Sequence, residues 1–583
     1  MQITRLFDSL YYQKEQFPKT DALASKVNGQ WEKVSTDQLV ETVNKLSAGV
    51  LEYGLKPGDK VGIVSFNRPE WVYVDVAMQQ LGIITVPMYP NSAESDYKFI
   101  TEDADLKIIF AGDEDIYKKL KNVKYELQSD VGIYTFDQVP EAKLWKELLV
   151  EPDLPKIENY KSQVEGDALA TIIYTSGTTG TPKGVMLSHH NILSNAQAVE
   201  EAFAVETPTY RVLSFLPLCH IFARTALYAY FRMGVSIYYA ESMDTIGDNL
   251  KEVKPDFFAT VPRLLEKVYD KIVNKGYELT GPKKMLFFWA LKLGDKYSPN
   301  EKQGAFYNFQ LKIANKLIFS KWREALGGNI KFIVSGAAAL QPRLARVFWA
   351  GQIPVLEAYG LTETSPGVTF TRRNPENVRI GCVGQLLRDV QVKIAEDGEV
   401  MVKGPNVMMG YYKRPDLTDE VINKDGWFHT GDIGEFEAGF LKITDRKKEM
   451  FKTSGGKYIA PQSLENKFKE SPLIEQMMVV GEAQNFPSAL IVPSFDVLKE
   501  WCRLHDIEYT TDEKMIELPR IVEKFEAELK VHNNLFSQYQ KVKKFKLLAG
   551  EWGIDSGELT PTLKMKRKVI KEKHQAVIDA FYK

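Results

Sequence analysis

Between residues 60 and 113 the chain switches repeatedly between two hydrophobic rhythms. KVGIVSFN (60–67), IITVPMYP (83–90) and LKIIFAGD (106–113) are short, nearly continuous apolar runs closed by polar or turn-forming residues, the pattern of buried strands. The intervening WVYVDVAMQQLG has the length and texture of a helix. Strand, helix, strand in succession implies βαβ units and a largely parallel sheet. ALATIIYT (168–175) is another apolar strand, VML after it is a short one, and Ser188 is placed to cap a helix over NILSNAQAVEEAF. From about 376 to 444 the texture changes to short strands with glycine at turns, DGEVMVKG and DIGEFEAGFLKITD, which predicts an antiparallel β module. Beyond DRKKEMFKTSGGKYIAP the chain is more charged, with two β runs, MMVVGE and ALIVPS, among helical stretches. The expected fold is α/β: a large N-terminal domain, residues 1–444, of parallel α/β sheets plus the β module, then a small α+β C-terminal domain, residues 445–583.

Composition narrows the setting. Of 583 residues, 44% are hydrophobic and 26% charged, as in a soluble chain with a large core. A net charge of -2 supplies no basic field for nucleic acid, so none is expected as a partner. Cys219, Cys382 and Cys502 are too scattered for a metal knuckle and too few for a disulfide framework, which suits a reducing, cytoplasmic setting. The start, MQITRLFDSLYYQKEQ, lacks a long apolar stretch, and no apolar run reaches the ~20 residues that span a bilayer, so neither secretion nor membrane spanning is expected.

The strand at 168–175 runs into YTSGTTGTPKGV (174–185). Glycines let backbone amides approach an anion, hydroxyls donate hydrogen bonds and a lysine adds positive charge, so the loop suits a nucleotide triphosphate. A Walker A loop starting at Gly177 would need glycine at Pro182 and Ser or Thr at Gly184, so that reading fails. The plain alternative is a solvated turn.

SGTTGTPKG resembles the signature phosphate loop of the AMP-forming acyl-CoA synthetase, luciferase and peptide-synthetase adenylation superfamily. LPLCHIFAR, VSGAAAL, AYGLTETSP, WFHTGDIGEF, DRKKEMFKTSGGKYIAP and LTPTLKMKRK follow in that superfamily's order over most of the chain, and the wording is most similar to long-chain fatty acid CoA ligases. The resemblance implies attack of a fatty carboxylate on the α-phosphate of ATP, release of pyrophosphate, and transfer of the acyl group from acyl-AMP to coenzyme A, with Mg²⁺ as cofactor. It also implies a C-terminal domain that rotates between the two half-reactions.

By the same resemblance, Thr175, Ser176, Gly177, Thr178, Thr179, Gly180 and Lys183 would hold phosphates, Glu363 would bind Mg²⁺ and Thr362 would touch the α-phosphate. Tyr359 and Gly360 would lie at the nucleotide, with Tyr359 stacked on adenine; Gly336 and Ala337 would pass close to the base, although core packing could equally require them. Asp432 would accept from both ribose hydroxyls, Arg446 would add a contact near ribose or phosphate, and Asp445 would be the hinge. Lys566 would reach the α-phosphate, with Lys564 the competing choice. Gly455 and Gly456 would let pantetheine pass in the second arrangement. His220 would sit near the acyl pocket, and His429 is read as structural. Segments 212–240 and 257–264 suit an apolar tunnel or equally a core.

Residues 276–325 read as a helical insertion with nine Lys or Arg against four acids and with Phe287, Phe288, Trp289, Phe319 and Trp322 among them. Such a surface could rest on anionic lipid, or be helices packed on the body with solvated lysines. The small-molecule partners are fatty acid, ATP and coenzyme A; peripheral membrane contact and a homodimer stay open. Rival readings are an enzyme adenylating a medium-chain or aromatic acid, one loading a carrier protein, and a non-catalytic lipid-binding descendant. No carrier domain follows in the sequence, and Glu363, Lys566 and the loop are all present.

Overall fold

The apolar runs at 60–113 become the middle of an eight-stranded sheet ordered Gly410–Tyr411, Pro182–Ser188, Leu169–Ser176, Ile84–Met88, Lys60–Val64, Leu106–Ala111, Gly132–Thr135, Lys143–Leu144. This computed structural model describes residues 2–127, 130–176, 182–203, 209–553, 556–560 and 564–583. From Leu169–Ser176 to the Lys143–Leu144 edge every pairing is parallel; the other two strands are antiparallel. A second sheet of nine strands is parallel from Val355–Gly360 through Phe332–Ser335, Phe257–Thr260, Arg211–Ser214 and Ser236–Tyr239 to Leu23–Val27, and antiparallel at both edges.

Helices fill the space between the sheets. Pro69–Gln80 buries every residue but Glu70, and Ile221–Arg232 buries all but Phe222 and Arg232. Helices buried all round must lie inside a layered body rather than on its surface. Arg224 and Asp75, one from each helix, pair at 0% exposure. Asp75 also accepts from Thr85 Oγ1 at 3.0 Å and Tyr228 OH at 2.5 Å, while Arg224 Nη1 donates to Thr171 Oγ1 at 2.6 Å. Aromatic residues of the segments read as a tunnel or core, Tyr228, Phe231 and Phe257, are fully buried in this layer.

The predicted β module is a four-stranded antiparallel sheet, Gln391–Ile394, Glu399–Lys403, Phe428–Glu437 and Phe440–Arg446. The body's apolar cluster runs up to Leu441 and Ile443, and a separate cluster starts at Phe451. That second core surrounds Ile474–Val480, Ser488–Pro493 and a strand the sequence reading missed, Lys544–Leu547, whose lysines mask its alternation. In the insertion, Gly281–Gly294 and Ala305–Ala314 are helical. Phe287, Phe319 and Trp322 are buried there and Phe288 and Trp289 pack on the same cluster, so the aromatics singled out from the sequence are core rather than surface; Phe306 and Phe309, at 73% and 61% exposure, face outward instead. Among the described residues, no helix is long and apolar enough to cross a membrane.

Candidate active site

Where the strand Val355–Gly360 meets the antiparallel Gly367–Phe370, the chain makes the short turn Thr362–Thr364 that presents Glu363. A Cβ on Gly360 would stand 1.7 Å from the Pro366 carbonyl oxygen, so the close backbone crossing itself demands glycine here. Three side chains clamp the turn. Asn195 accepts from Gly367 N at 3.0 Å and donates to its carbonyl at 2.7 Å; Asn406 donates to the carbonyls of Thr364 at 3.1 Å and Gly367 at 2.9 Å; Thr225 donates to Ser365 O at 2.9 Å. Asn195 belongs to the helix His189–Phe203, whose start is capped as expected: Ser188 Oγ accepts from Asn191 N at 3.1 Å.

The phosphate-loop motif closes an antiparallel stem in which Thr175 faces Lys183. Gly177, Thr178, Thr179 and Gly180 lie outside the described residues, as does the side chain of Ser176. Beside the stem, Gly410–Tyr411 pairs with Pro182–Ser188, which puts the Tyr411 ring 5.3 Å from Lys183 Nζ. The Tyr411 hydroxyl donates to Glu363 Oε1 at 2.9 Å, and burial, then the Glu363 charge, pushes its pKa above the ordinary phenol value. Tyr411 thus joins the two expected phosphate-side residues, although the sequence reading missed it; the only signal was an aromatic pair after Gly410 in a polar stretch. Among the described residues, no three acidic, Cys or His side chains are grouped so as to hold a metal ion by themselves. One carboxylate, engaged through Oε1 by Tyr411, fits Mg²⁺, which takes one or two carboxylates and completes its shell with nucleotide phosphates and water.

On the opposite wall, Asp432 is 4% exposed, accepts from Tyr359 OH at 2.7 Å and from Arg446 Nε at 2.9 Å. Each carboxylate oxygen keeps a lone pair for a further donor. Burial and the neighbouring Asp432 push Tyr359 well above the usual phenol range. Burial alone would lower Arg446, but Asp432 and Glu449 outweigh it and raise the guanidinium. Glu399 sets the turn before Asp432, accepting from Gly431 N at 2.8 Å and Lys447 Nζ at 2.9 Å and meeting His429 Nδ1 at 3.1 Å. His429 therefore lies on this support. Asp445 is fully buried, with Oδ1 taking Arg446 N at 2.6 Å and Oδ2 taking Gln462 N at 3.1 Å in the first turn of the helix Pro461–Phe468; burial pushes its carboxyl up to about 7.

The two candidate lysines separate. Lys564 reaches into the seam between the domains, where burial and then Arg446 lower its ammonium pKa while Asp432, Glu363 and Glu449 act in the opposite sense. Lys566 instead takes the N-cap position of the helix Arg567–Lys573; both lysine side chains keep solvent exposure. His220 caps Ile221–Arg232, its Nδ1 accepting from Phe222 N at 3.2 Å; burial, then the Lys564 charge, lowers its pKa to about 4. A neutral imidazole accepting at Nδ1 carries its proton on Nε2. Gly336 packs against Phe222 and Ala358, and Ala337 adopts a left-handed backbone with φ +70°. Gly455 and Gly456 lie apart from this group, at an exposed turn between Phe451–Lys452 and Tyr458–Ile459.

Residues 10–412 match the AMP-binding enzyme family and residues 449–583 the AMP-binding enzyme C-terminal domain. The long-chain-fatty-acid–CoA ligase FadD15 of Mycobacterium bovis is 32% identical over 95% of this chain and 93% of its own, and fatty acyl-CoA synthetase A of Dictyostelium discoideum is 32% identical over 96% and 87%. The fold also matches that of an anthranilate CoA ligase, AuaEII, solved with anthranoyl-AMP, at a TM-score of 0.73, 15% identity and coverage of 98% of this chain and 97% of that one.

Proposed function

The chain belongs to the AMP-binding enzyme family, and from that premise we propose that it is an AMP-forming long-chain fatty acid CoA ligase whose adenylation lysine is Lys564. The observation that carries this reading is the hydrogen-bonded group Tyr359–Asp432–Arg446 and the Tyr411–Glu363 bond, with Lys564 of the C-terminal domain within electrostatic reach of Glu363, Asp432 and Arg446. A carboxylate is a poor electrophile, so its oxygen first attacks the α-phosphorus of ATP in line; the bond to pyrophosphate breaks and acyl-AMP forms. The thiolate of coenzyme A then attacks the acyl carbon and AMP leaves. Both steps need positioning and charge stabilisation more than an enzyme nucleophile.

The residues divide that work. Lys183 and the loop after Thr175 hold the outer phosphates. Glu363 would hold Mg²⁺, which would neutralise phosphate charge. Asp432 binds the ribose hydroxyls, kept in place by Tyr359 and Arg446, and Gly336 and Ala337 pass the base. An arriving nucleotide adds negative charge beside Lys564 and favours its ammonium form. His220, protonated on Nε2, faces the acyl carboxylate as a neutral donor. Asp445 serves as the hinge, and the exposed turn at Gly455 and Gly456 meets coenzyme A after rotation. Three free, buried thiols suit a cytoplasmic setting.

Fatty-acid-driven pyrophosphate exchange tests the scheme: it is expected without coenzyme A, and cleavage of ATP to ADP and phosphate would overturn it. Turnover across acids from acetate to stearate is expected to peak among the long chains; a maximum at acetate or benzoate would move the substrate assignment.

A second feature favours a membrane surface. Phe306, Phe309 and Leu317 form an exposed stripe opposite the buried side of Ala305–Ala314, with Lys312 and Lys316 exposed along its edge. Apolar rings bordered by lysines suit the headgroup zone of an anionic bilayer. Flotation with anionic vesicles at low and high salt should carry the protein with them, and Phe306→Ser with Phe309→Ser should release it. A stripe that left flotation unchanged but halved the solution mass on substitution would be a dimer contact instead.

A further inference from the structure

We propose that Arg567 is a positioning residue for adenylation, aiming Lys564 through a fixed carboxylate cradle. Lys564 sits on a hairpin whose arms meet at a bridge between Leu559 and Met565; Thr560 N donates to Lys564 O at 2.8 Å, Lys564 N donates to Thr560 Oγ1 at 3.0 Å, and Lys566 N donates to Glu558 O at 2.7 Å. These bonds shape the hairpin; its first arm is held by Leu559 N donating to Gly553 O at 2.9 Å and by Lys573 Nζ donating to Glu558 Oε1 at 2.7 Å, and the Lys564-bearing arm continues directly into Arg567. Arg567 ties that arm to the domain. Its Nη1 and Nη2 grip both oxygens of Glu465 at 2.9 and 2.5 Å, and its Nε donates to Glu449 at 2.8 Å. Glu465 is 1% exposed and also takes Val479 N at 2.7 Å, so it is anchored to the central sheet of the domain. Glu449 lies in the turn opened by Arg446, where Glu449 N donates to Arg446 O at 2.9 Å. One guanidinium therefore joins the lysine hairpin, the domain core and the segment that follows Asp445 and contacts Asp432. A planar fork fixes direction where an ammonium in its place would fix only charge.

The inference rests on Lys564 serving adenylation. Arg567 touches no reacting atom in this scheme, and its loss should displace the ammonium without removing it. Displacements of this kind cost about ten- to a hundredfold in rate. In Arg567→Ala, pyrophosphate exchange should fall by about that factor, while thioester formation from supplied acyl-AMP stays near wild type. Arg567→Lys, which keeps the charge, should rescue little. The decisive comparison is the double variant with Lys564→Ala: if Arg567 acts through Lys564, the double variant is no slower in exchange than Lys564→Ala alone. Equal loss of both half-reactions, or additive losses in the double variant, would overturn the proposal. Glu449→Gln removes a single bond from a partly exposed partner and gives the same comparison should Arg567→Ala fail to fold. If Lys564→Ala itself left exchange intact, the functional reading would fall first, and the two failures are thereby told apart.

Discussion

Two arginine–carboxylate pairs show how differently this chain uses the same chemistry. Arg224 and Asp75 meet inside the body with both side chains at 0% exposure, and Asp75 takes further bonds from Thr85 and Tyr228. Arg263 and Glu475 meet across the seam between body and C-terminal domain, at 15% and 12% exposure, and Arg263 also reaches Glu266 at 3.4 Å within its own helix. The first pair can exchange neither partner for water without leaving a bare buried charge. The second faces the edge of the seam, where water can replace either partner when the domains part. Burial thus marks which contacts define the fold and which are open to exchange with water, as the proposed rotation would require.

The largest test strikes the body pair. Arg224→Ala should destabilise the N-terminal domain by about 3–5 kcal/mol, because Asp75 is left charged and half-satisfied, whereas replacing both partners by apolar residues of similar volume should cost much less. Denaturant unfolding read from the tryptophans of the body measures this; equal losses in the single and double variants would show that packing rather than charge sets the stability. Glu357 sharpens the contrast, being a buried carboxyl with no arginine paired to it among the described residues. It is 9% exposed, and burial pushes it up to about 8, opposed by the Leu340 amide. The folded chain therefore keeps a proton there that the unfolded chain releases. The resulting stability is fully present below the ordinary glutamate value and drains away as pH rises through about 8, a matter of a few kcal/mol in all. Glu357→Gln should flatten that decline, and an unchanged pH profile would assign it to other groups.

The contrast also explains what could be read in advance. Strands such as Lys60–Val64 and Leu106–Ala111 announced themselves because both faces are buried, and the TGDIG and YGLTE stretches because their residues are gathered locally. Tyr359 and Arg446 both bond Asp432, as residues singled out from separate stretches of the sequence. Long-range pairings were illegible. Tyr411 reaches Glu363 across 48 positions and Arg567 reaches Glu449 across 118, and no periodicity encodes either. Nor does the sequence separate Lys564 from Lys566, since residues two apart in an extended arm share a face; the bridge between Leu559 and Met565 and the helix that begins at Arg567 place the two lysines differently. The insertion misled for the opposite reason: aromatics beside lysines have the same composition whether they face core or solvent, and only packing against Tyr269 and Phe348 distinguishes Trp322 from Phe306.

The smallest effect belongs to the seam. Glu475→Gln keeps the shape of the side chain but removes the charge that Arg263 faces, while Arg343 still donates to Glu470 O at 2.9 Å and Lys284 still lies 3.7 Å from Glu500. With these contacts left, the loss should be about 1 kcal/mol or less, a shift of roughly fivefold in the balance between the two domain arrangements. Because Lys564 faces Glu363 and Asp432 in the arrangement that this pair closes, its weakening should slow pyrophosphate exchange and leave thioester formation from supplied acyl-AMP equal or faster, with thermal stability within a degree or two of wild type. Two half-reactions that moved together would mean that the pair merely supports the fold, as Arg224 does. Two that moved apart would identify it as the contact remade in each catalytic cycle.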